Sequence, residues 1–128
     1  MGKTIVLIDD SKVMRSILRK SILMCNYQVE EFIEADNGED GYSIVSGTKP
    51  FDIAFVDLHM PKLGGVDMLR RLHEGGGAKS PIVVVSTSGD QETQKMCLEL
   101  GAVGFVRKPF TPNDIGEIMG RVIGKSNA

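Results

Sequence analysis

Cysteine is scarce in this sequence, which has only Cys25 and Cys97 among 128 residues. The two lie far apart, each inside a segment of helical period, and neither forms a Cys-x-x-Cys pair or stands near clustered histidines. This spacing is not that of a zinc site. We interpret both residues as small apolar thiols in a reducing compartment, which favours a cytoplasmic location.

The sequence also lacks an excess of one charge and a long hydrophobic run. Its 15 Lys and Arg oppose 17 Asp and Glu, for a formal net charge of −2, so there is no global basic field and we expect no nucleic-acid partner. No apolar run approaches the ~18 residues that cross a bilayer, and we expect no membrane insertion. The length favours one domain over residues 1–128, with a frayed C-terminus at 125–128.

Short apolar runs alternate regularly with longer segments of helical period. The predicted strands are Lys3–Asp9, Gln28–Ala35, Phe51–Asp57, Ile82–Ser86 and Val103–Arg107, and the predicted helices are Lys12–Cys25, Gly38–Val45, Gly65–His73, Asp90–Leu100 and Asn113–Ile123. Such alternation indicates parallel pairing with right-handed crossovers, and unbroken runs such as IVLI and IVVV indicate strands covered on both faces. We therefore predict an α/β fold, a doubly wound (βα)5 sandwich around a five-stranded parallel sheet.

Two of the predicted helices raise specific expectations. Gly41 lies inside the second helix, where a glycine should weaken it. The first helix has an apolar face, which we expect to be buried, made of Met14, Ile17, Leu18, Ile22 and Cys25.

Polar groups collect at the carboxyl ends of four of the five predicted strands. They are Asp9 and Asp10 after the first strand, Asp57 at the third, Ser86 and Thr87 at the fourth, and Lys108 after the fifth. Each alone has a simpler interpretation, such as a helix cap, a turn acid or a solvated lysine. Ligands of open parallel sheets bind beyond this edge, so the convergence predicts a site there. We interpret Glu34 and Asp36, near the end of the second strand, as ordinary surface acids.

The residue types at this edge favour phosphoryl transfer. Carboxylates that lie close together raise one another's pKa unless a cation intervenes, and Mg²⁺ suits a site with carboxylates, waters and a phosphate oxygen. A carboxylate can attack phosphorus to form an aspartyl phosphate. A lysine and a serine hydroxyl can then bind the phosphoryl oxygens.

Several motifs, in this order and spacing, together resemble one known family. They are IVLIDDSKVMR, EADNGEDG, FDIAFVDLHMPKLGG, PIVVVSTSGD and LGAVGFVRKPF. The sequence resembles the receiver domain of two-component response regulators, especially the free-standing chemotaxis type, from Lys3 to about Gly124. The resemblance implies a flavodoxin-like fold with strand order 2-1-3-4-5. It also implies a signalling protein that catalyses only its own phosphoryl transfer and dephosphorylation.

The resemblance implies that Asp57 is the phosphoacceptor. Asp10 and Asp57 would bind Mg²⁺ through their carboxylates, with Asp9 assisting through water and the backbone carbonyl of His59 completing the site. Mn²⁺ is expected to substitute for Mg²⁺.

The remaining matched positions would bind the phosphoryl group or respond to it. Lys108 and Ser86 would bind phosphoryl oxygens, and Ser86 with Phe105 would form the switch. The positions expected to modulate access to the acceptor and the phosphoryl lifetime are His59, Thr87 and Ser88. Thr87 departs from the family pattern, in which alanine is usual.

The expected partners are proteins. A cognate histidine kinase would be the phosphodonor, and a motor, kinase or relay component would be the downstream target. A phosphatase is a further candidate partner. The fourth helix, fifth strand and fifth helix would form the output surface.

Three alternatives remain open from the sequence. A magnesium-dependent aspartyl phosphatase would want an acid two residues after its nucleophile, where His59 stands. A flavin- or nucleotide-binding protein would want a phosphate-binding loop after the first strand, where the sequence is DDSK. A receiver-like module that binds partners without phosphorylation would not need the complete set of acids, serine and lysine.

Overall fold

The structure of the protein, a computed structural model, describes residues 2–124, and the predicted frayed C-terminus at 125–128 lies outside the described residues. The elements in chain order are β1 (Lys3–Ile8), α1 (Lys12–Met24), β2 (Val29–Ala35), α2 (Gly38–Ser46), β3 (Ile53–Val56), α3 (Gly65–Glu74), β4 (Ile82–Ser86), α4 (Gln91–Glu99), β5 (Gly104–Arg107) and α5 (Pro112–Ile123). Each predicted element is present, with small differences at its ends.

The five strands form one parallel sheet in the order β2-β1-β3-β4-β5, as predicted. The chain leaves β1 toward β2 on one side and returns to β3 on the other. This reversal leaves a crevice beyond the carboxyl ends of β1 and β3, which is where ligands of doubly wound sheets bind.

Apolar residues on the two faces of the sheet form two core clusters. Because successive strand residues point to opposite faces, β1 and β3 contribute to both. Ile5, Leu7 and Phe55 pack with residues of α1 and α5. Val6 and Val56 pack with residues of α2, α3 and α4. The central strands are therefore held rigidly from both sides, and their carboxyl ends are fixed with them.

Side-chain caps fix the start of several helices close to these strand ends. The Ser11 hydroxyl accepts a hydrogen bond from the N–H of Met14 at 3.1 Å, which starts α1 directly after Asp10. In α5, Thr111 and Asp114 form a reciprocal capping box. The short connection from β1 to α1 leaves its two acids little room to move away from the sheet edge.

The helix α2 continues through Gly41, which is buried. A Cβ atom at this position would lie 2.7 Å from Cγ2 of Ile8, so the glycine lets α2 pack closely on β1. A packing requirement therefore explains the glycine.

The predicted apolar face of α1 is only partly buried. Leu18 and Ile22 are in the core, but Ile17 is 43% exposed. Val13 and Met24, which lie near Ile17 on the helix surface, are each 69% exposed. Among residues 2–124, no helix is long and apolar enough to cross a membrane.

Candidate functional site

The sheet places two acids at the end of its central strands. The N–H of Asp9 donates to the carbonyl of Ala35 at 3.1 Å, and the N–H of Asp57 donates to the carbonyl of Ile8 at 2.9 Å. Backbone pairing thus continues past β1 and β3 and fixes both residues. Asp9 is 1% exposed and Asp57 is 6% exposed, whereas Asp10 is exposed.

The carboxylates of Asp9, Asp10 and Asp57 meet at this edge. One oxygen from each lies within 4.8 Å of the others. Three carboxylates this close repel one another strongly where water is largely excluded. The arrangement persists because the strands, not the side chains, determine where the acids lie.

Lys108 brings one positive charge to the three acids. Its Nζ lies 3.0 Å from Oδ2 of Asp9 and 3.5 Å from Oδ1 of Asp57. Its backbone N–H donates to the Ser86 carbonyl at 2.9 Å, which ties the residue after β5 to the end of β4. A single ammonium group cannot neutralise three carboxylates, so the site stays negative.

The pKa of Asp57 is raised above its ordinary value, chiefly because burial removes water from the carboxylate. The negative charge of Asp9 raises it further. The ammonium of Lys108 and the N–H of His59 act in the opposite direction without cancelling the rise. A further positive charge would favour the ionised form of Asp57.

The donor set fits a hard divalent cation such as Mg²⁺, which prefers carboxylate oxygens and retains several waters. Asp9 is the least available ligand, because Oδ1 accepts from the N–H of Ser11 at 2.9 Å and Oδ2 accepts from Lys108 at 3.0 Å. Asp10 and Asp57 have more free oxygen. This difference agrees with the expectation that Asp9 acts through water.

The candidate switch serine, Ser86, is fully buried at the end of β4. Its Oγ accepts a hydrogen bond from the N–H of Ser88 at 3.1 Å. The hydroxyl of Ser88 lies 2.5 Å from Nε2 of His59, so a side-chain bridge joins the β4–α4 loop to the β3–α3 loop. Thr87 is exposed beside this bridge.

Phe105 lies on β5, outside the acidic cluster. It is half-buried and pairs in register with Val84, two residues before Ser86. With Arg107, Ile118 and Arg121 it helps line a cavity of about 360 Å³ between β5 and α5. Phe105 therefore connects the end of β4 to this groove, so a movement at Ser86 can reach the groove through one pair of neighbouring strands.

Glu34 is not an ordinary surface acid, and that interpretation was wrong. Its side chain is 25% exposed, and it forms salt bridges with Arg15, at 2.7 Å, and with Arg19. Arg15 also donates from Nη1 to the backbone carbonyl of Asp9 at 2.5 Å. The spacing of the two arginines, one helical turn apart, was a usable sign that they share a partner. Asp36 is exposed, as expected.

Comparison with known proteins agrees with this geometry. Residues 5–119 match the response regulator receiver domain. The chain is 31% identical over 122 residues to the chemotaxis protein CheY of Thermotoga maritima, covering 95% of this chain and 98% of that protein. It is 28% identical over 116 residues to the phosphate regulon transcriptional regulatory protein PhoB of Pseudomonas aeruginosa, covering 90% of this chain and 49% of that protein. The chain thus spans about half the length of that relative.

A solved structure supports the fold. The receiver domain of the sensor histidine kinase PA1611 from Pseudomonas aeruginosa, which has a magnesium ion coordinated in its active site cleft, matches with a TM-score of 0.79. The identity is 21%, over 98% of this chain and 100% of that one. The resemblance found in the motifs and the predicted flavodoxin-like fold are confirmed, and the chain belongs to the receiver domain family of two-component response regulators.

Proposed function

We propose that this protein is a phosphorylation-activated response regulator that accepts a phosphoryl group on Asp57 from a histidine kinase. The observation that carries the proposal is the meeting of Asp9, Asp10 and Asp57 within 4.8 Å, with Lys108 beside two of them. If these residues only stabilised the fold, we would expect each acid to be paired with a basic side chain. A negative, partly buried cluster with one lysine instead suits a cation and a phosphoryl group.

In the proposed transfer, a carboxylate oxygen of Asp57 attacks phosphorus. A P–O bond forms as the P–N bond to the kinase histidine breaks, and the imidazole leaves with the electron pair and takes up a proton. Asp10, Asp57 and the backbone carbonyl of His59 would hold Mg²⁺, with Asp9 assisting through water; the ion would neutralise negative charge at the site, and Mn²⁺ would substitute for it. Lys108 binds a phosphoryl oxygen as a point charge.

In the proposed switch, the Ser86 hydroxyl turns toward the phosphoryl group. Its Oγ now accepts from Ser88, and it would turn to donate to a phosphoryl oxygen, which releases the β4–α4 loop. Shifting a population from 1:99 to 99:1 needs about 5.5 kcal/mol of differential binding. Two or three charge-assisted contacts of about 1.5–3 kcal/mol each sum to about 3–9 kcal/mol, a range that includes this requirement. His59, Thr87 and Ser88 would govern how water reaches Asp57.

The proposed output surface comprises α4, β5 and α5. Phe105 connects it to the switch, since it pairs with Val84 and lines the groove beside α5. A downstream motor, kinase or relay protein would bind there. Partner binding that ignores both phosphorylation and Phe105→Ala would contradict this part of the proposal.

The phosphodonor has a separate surface available. Val13, Ile17 and Met24 form an exposed apolar stripe on α1, which begins close to Asp10. A kinase that contacts this stripe would lie next to the acidic edge. We place these encounters, and any with a phosphatase, in the cytoplasm.

Intact mass after incubation with acetyl phosphate and Mg²⁺ tests the proposal. The wild type should gain one phosphoryl group, and chelation of the metal should prevent the gain. Asp57→Asn should gain no phosphoryl group. Asp52 lies at the other end of β3, so Asp52→Asn should be phosphorylated as the wild type is. Absence of phosphorylation by both acetyl phosphate and a histidine kinase would favour a phosphorylation-independent binding module instead.

A further inference from the structure

Arg15 joins three parts of the structure through one side chain. Its Nε donates to Oε1 of Glu34 on β2 at 2.7 Å, and its Nη1 donates to the backbone carbonyl of Asp9 at 2.5 Å. The residue itself lies in the first turns of α1, and its side chain is 13% exposed. The guanidinium therefore links α1, β2 and the acidic β1–α1 loop.

The loop that carries the acids depends on this link. Asp9 is fixed on every side: its N–H donates to Ala35, its carboxylate accepts from Ser11 and Lys108, and its carbonyl accepts from Arg15. The peptide that follows the Asp9 carbonyl leads directly to Asp10. A donor that holds this carbonyl thus sets the direction in which Asp10 leaves the sheet.

Glu34 in turn holds the arginine in place. Arg19 forms a salt bridge with the other oxygen of Glu34 and lies over the ring of Phe32, 5.4 Å from its centroid. The planar guanidinium of Arg15 can donate to two acceptors in a fixed geometry, whereas a lysine ammonium cannot reproduce that geometry.

We propose that Arg15 is a positioning residue for the acidic site: by bridging Glu34 and the Asp9 carbonyl it preorganises Asp9 and Asp10 to bind Mg²⁺. This inference rests on the proposed function, because it concerns the affinity of the same site. Groups that orient ligands without touching the metal typically change metal affinity about 10–100-fold when they are removed.

The charge of Arg15 alone would have the opposite effect. A positive group near a cation site repels the cation, so its removal should strengthen Mg²⁺ binding. Arg15→Ala therefore separates the two mechanisms by the sign of the change. Arg15→Lys keeps the charge and tests geometry directly.

Calorimetric titration with Mg²⁺ at fixed ionic strength provides the measurement. We expect Arg15→Ala to weaken Mg²⁺ binding about tenfold and Arg15→Lys about threefold or more. Arg19→Ala and Arg19→Lys are the matched controls, because Arg19 shares Glu34 but its described contacts are with Glu34 and Phe32. They should bind Mg²⁺ as the wild type does or slightly more tightly.

The amide resonances of Asp10 and Ser11 give a second readout in the metal-free protein. They should shift or broaden in Arg15→Lys and stay unchanged in Arg19→Lys. If Arg15→Ala fails to fold, Mg²⁺ binding by Arg15→Lys alone tests whether Arg15 positions the acids.

Unchanged or tighter Mg²⁺ binding by Arg15→Lys would overturn the inference, and so would equal losses in both arginine series. If the wild type itself binds no Mg²⁺, the proposed metal site fails and the inference fails with it. These results are distinguishable, since only the last affects the wild-type protein.

Discussion

Two charged regions meet at the β1–α1 loop, and they balance their charges differently. In the arginine cluster of Arg15, Arg19 and Glu34, each carboxylate oxygen meets a guanidinium group. In the acidic cluster of Asp9, Asp10 and Asp57, Lys108 pairs with only two of the three carboxylates, those of Asp9 and Asp57. In the first region protein groups alone balance the carboxylate charge, although Nε of Arg19 is buried without a hydrogen-bond partner among the described residues. The second gains stability from an added cation.

This fold tolerates unfavourable charge at the ends of its rigid central strands. Asp57 is nearly buried, yet backbone pairing to β1 holds it in place. A partly buried charge without full compensation destabilises the folded state, but the pairing of a rigid central strand can hold the charge in place nevertheless. Glu34 lies on the edge strand β2, where its two arginines provide the compensation instead.

Removal of Lys108 should produce the largest effect. Lys108→Ala should slow phosphorylation of Asp57 by acetyl phosphate about a hundredfold, as expected when one donor to developing charge is lost. The same variant should bind Mg²⁺ more tightly, because a competing positive charge is gone. Rates measured by intact mass and affinities measured by calorimetry check the two parts.

Lys49→Ala is the matched control for that variant. Lys49 pairs with Glu31 at the exposed surface, with a side chain that is 60% exposed. Such pairs contribute about 0–1 kcal/mol, and this one lies away from the acids. A similar loss of rate in both variants would show that general charge, not the position of Lys108, governs phosphorylation.

Much of the fold could be predicted from apolar patterns. The unbroken run IVVVS, rich in β-branched residues, predicts a strand at Ile82–Ser86, and β4 lies there with all five residues buried. The ends of β3 were less predictable. Asp52, just before β3, exchanges two hydrogen bonds with Thr4: its N–H donates to the Thr4 carbonyl, and its carboxylate accepts from the N–H of Thr4, a contact between residues 48 apart. Periodicity carries no information about such long-range side-chain bonds.

Strand assignment is enough to anticipate the acidic cluster. For the arginine cluster, the spacing of Arg15 and Arg19 indicates a shared partner but does not identify it as Glu34. Parallel strands bring their carboxyl ends to one edge, so strand assignment alone places Asp9 and Asp57 together. The partnership of Arg15 with Glu34 depends on the rotation of α1 over β2. That rotation also left Ile17 exposed when its spacing predicted burial. Packing angles of this kind are set by tertiary contacts.

Neutralising an acid should have opposite effects on stability in the two clusters. Glu34→Gln should destabilise the protein by about 1–2 kcal/mol at pH 7, because it leaves two arginines facing a neutral group. Urea unfolding without Mg²⁺ measures the difference. Glu31→Gln, on the same strand, is the control and should change stability by less than about 0.5 kcal/mol. Equal losses in both variants would contradict the distinction between the clusters.

Asp57→Asn should instead stabilise the metal-free protein at pH 7, by less than Glu34→Gln destabilises it. Burial and Asp9 raise the pKa of Asp57 in the folded state, so folding favours the protonated carboxyl. The stabilisation from that proton is complete below the unfolded pKa, about 3.9, and is lost as pH rises through the folded pKa. Asp57→Asn has no carboxyl group to ionise at this position, so it does not lose stability as pH rises. Lys108 is still paired with Asp9 in this variant. The advantage of the variant, measured by urea unfolding, should therefore grow from pH 4 to pH 7 and shrink when Mg²⁺ is added. A wild type that is more stable than Asp57→Asn at pH 7 without metal would mean that Lys108 already compensates the acidic cluster.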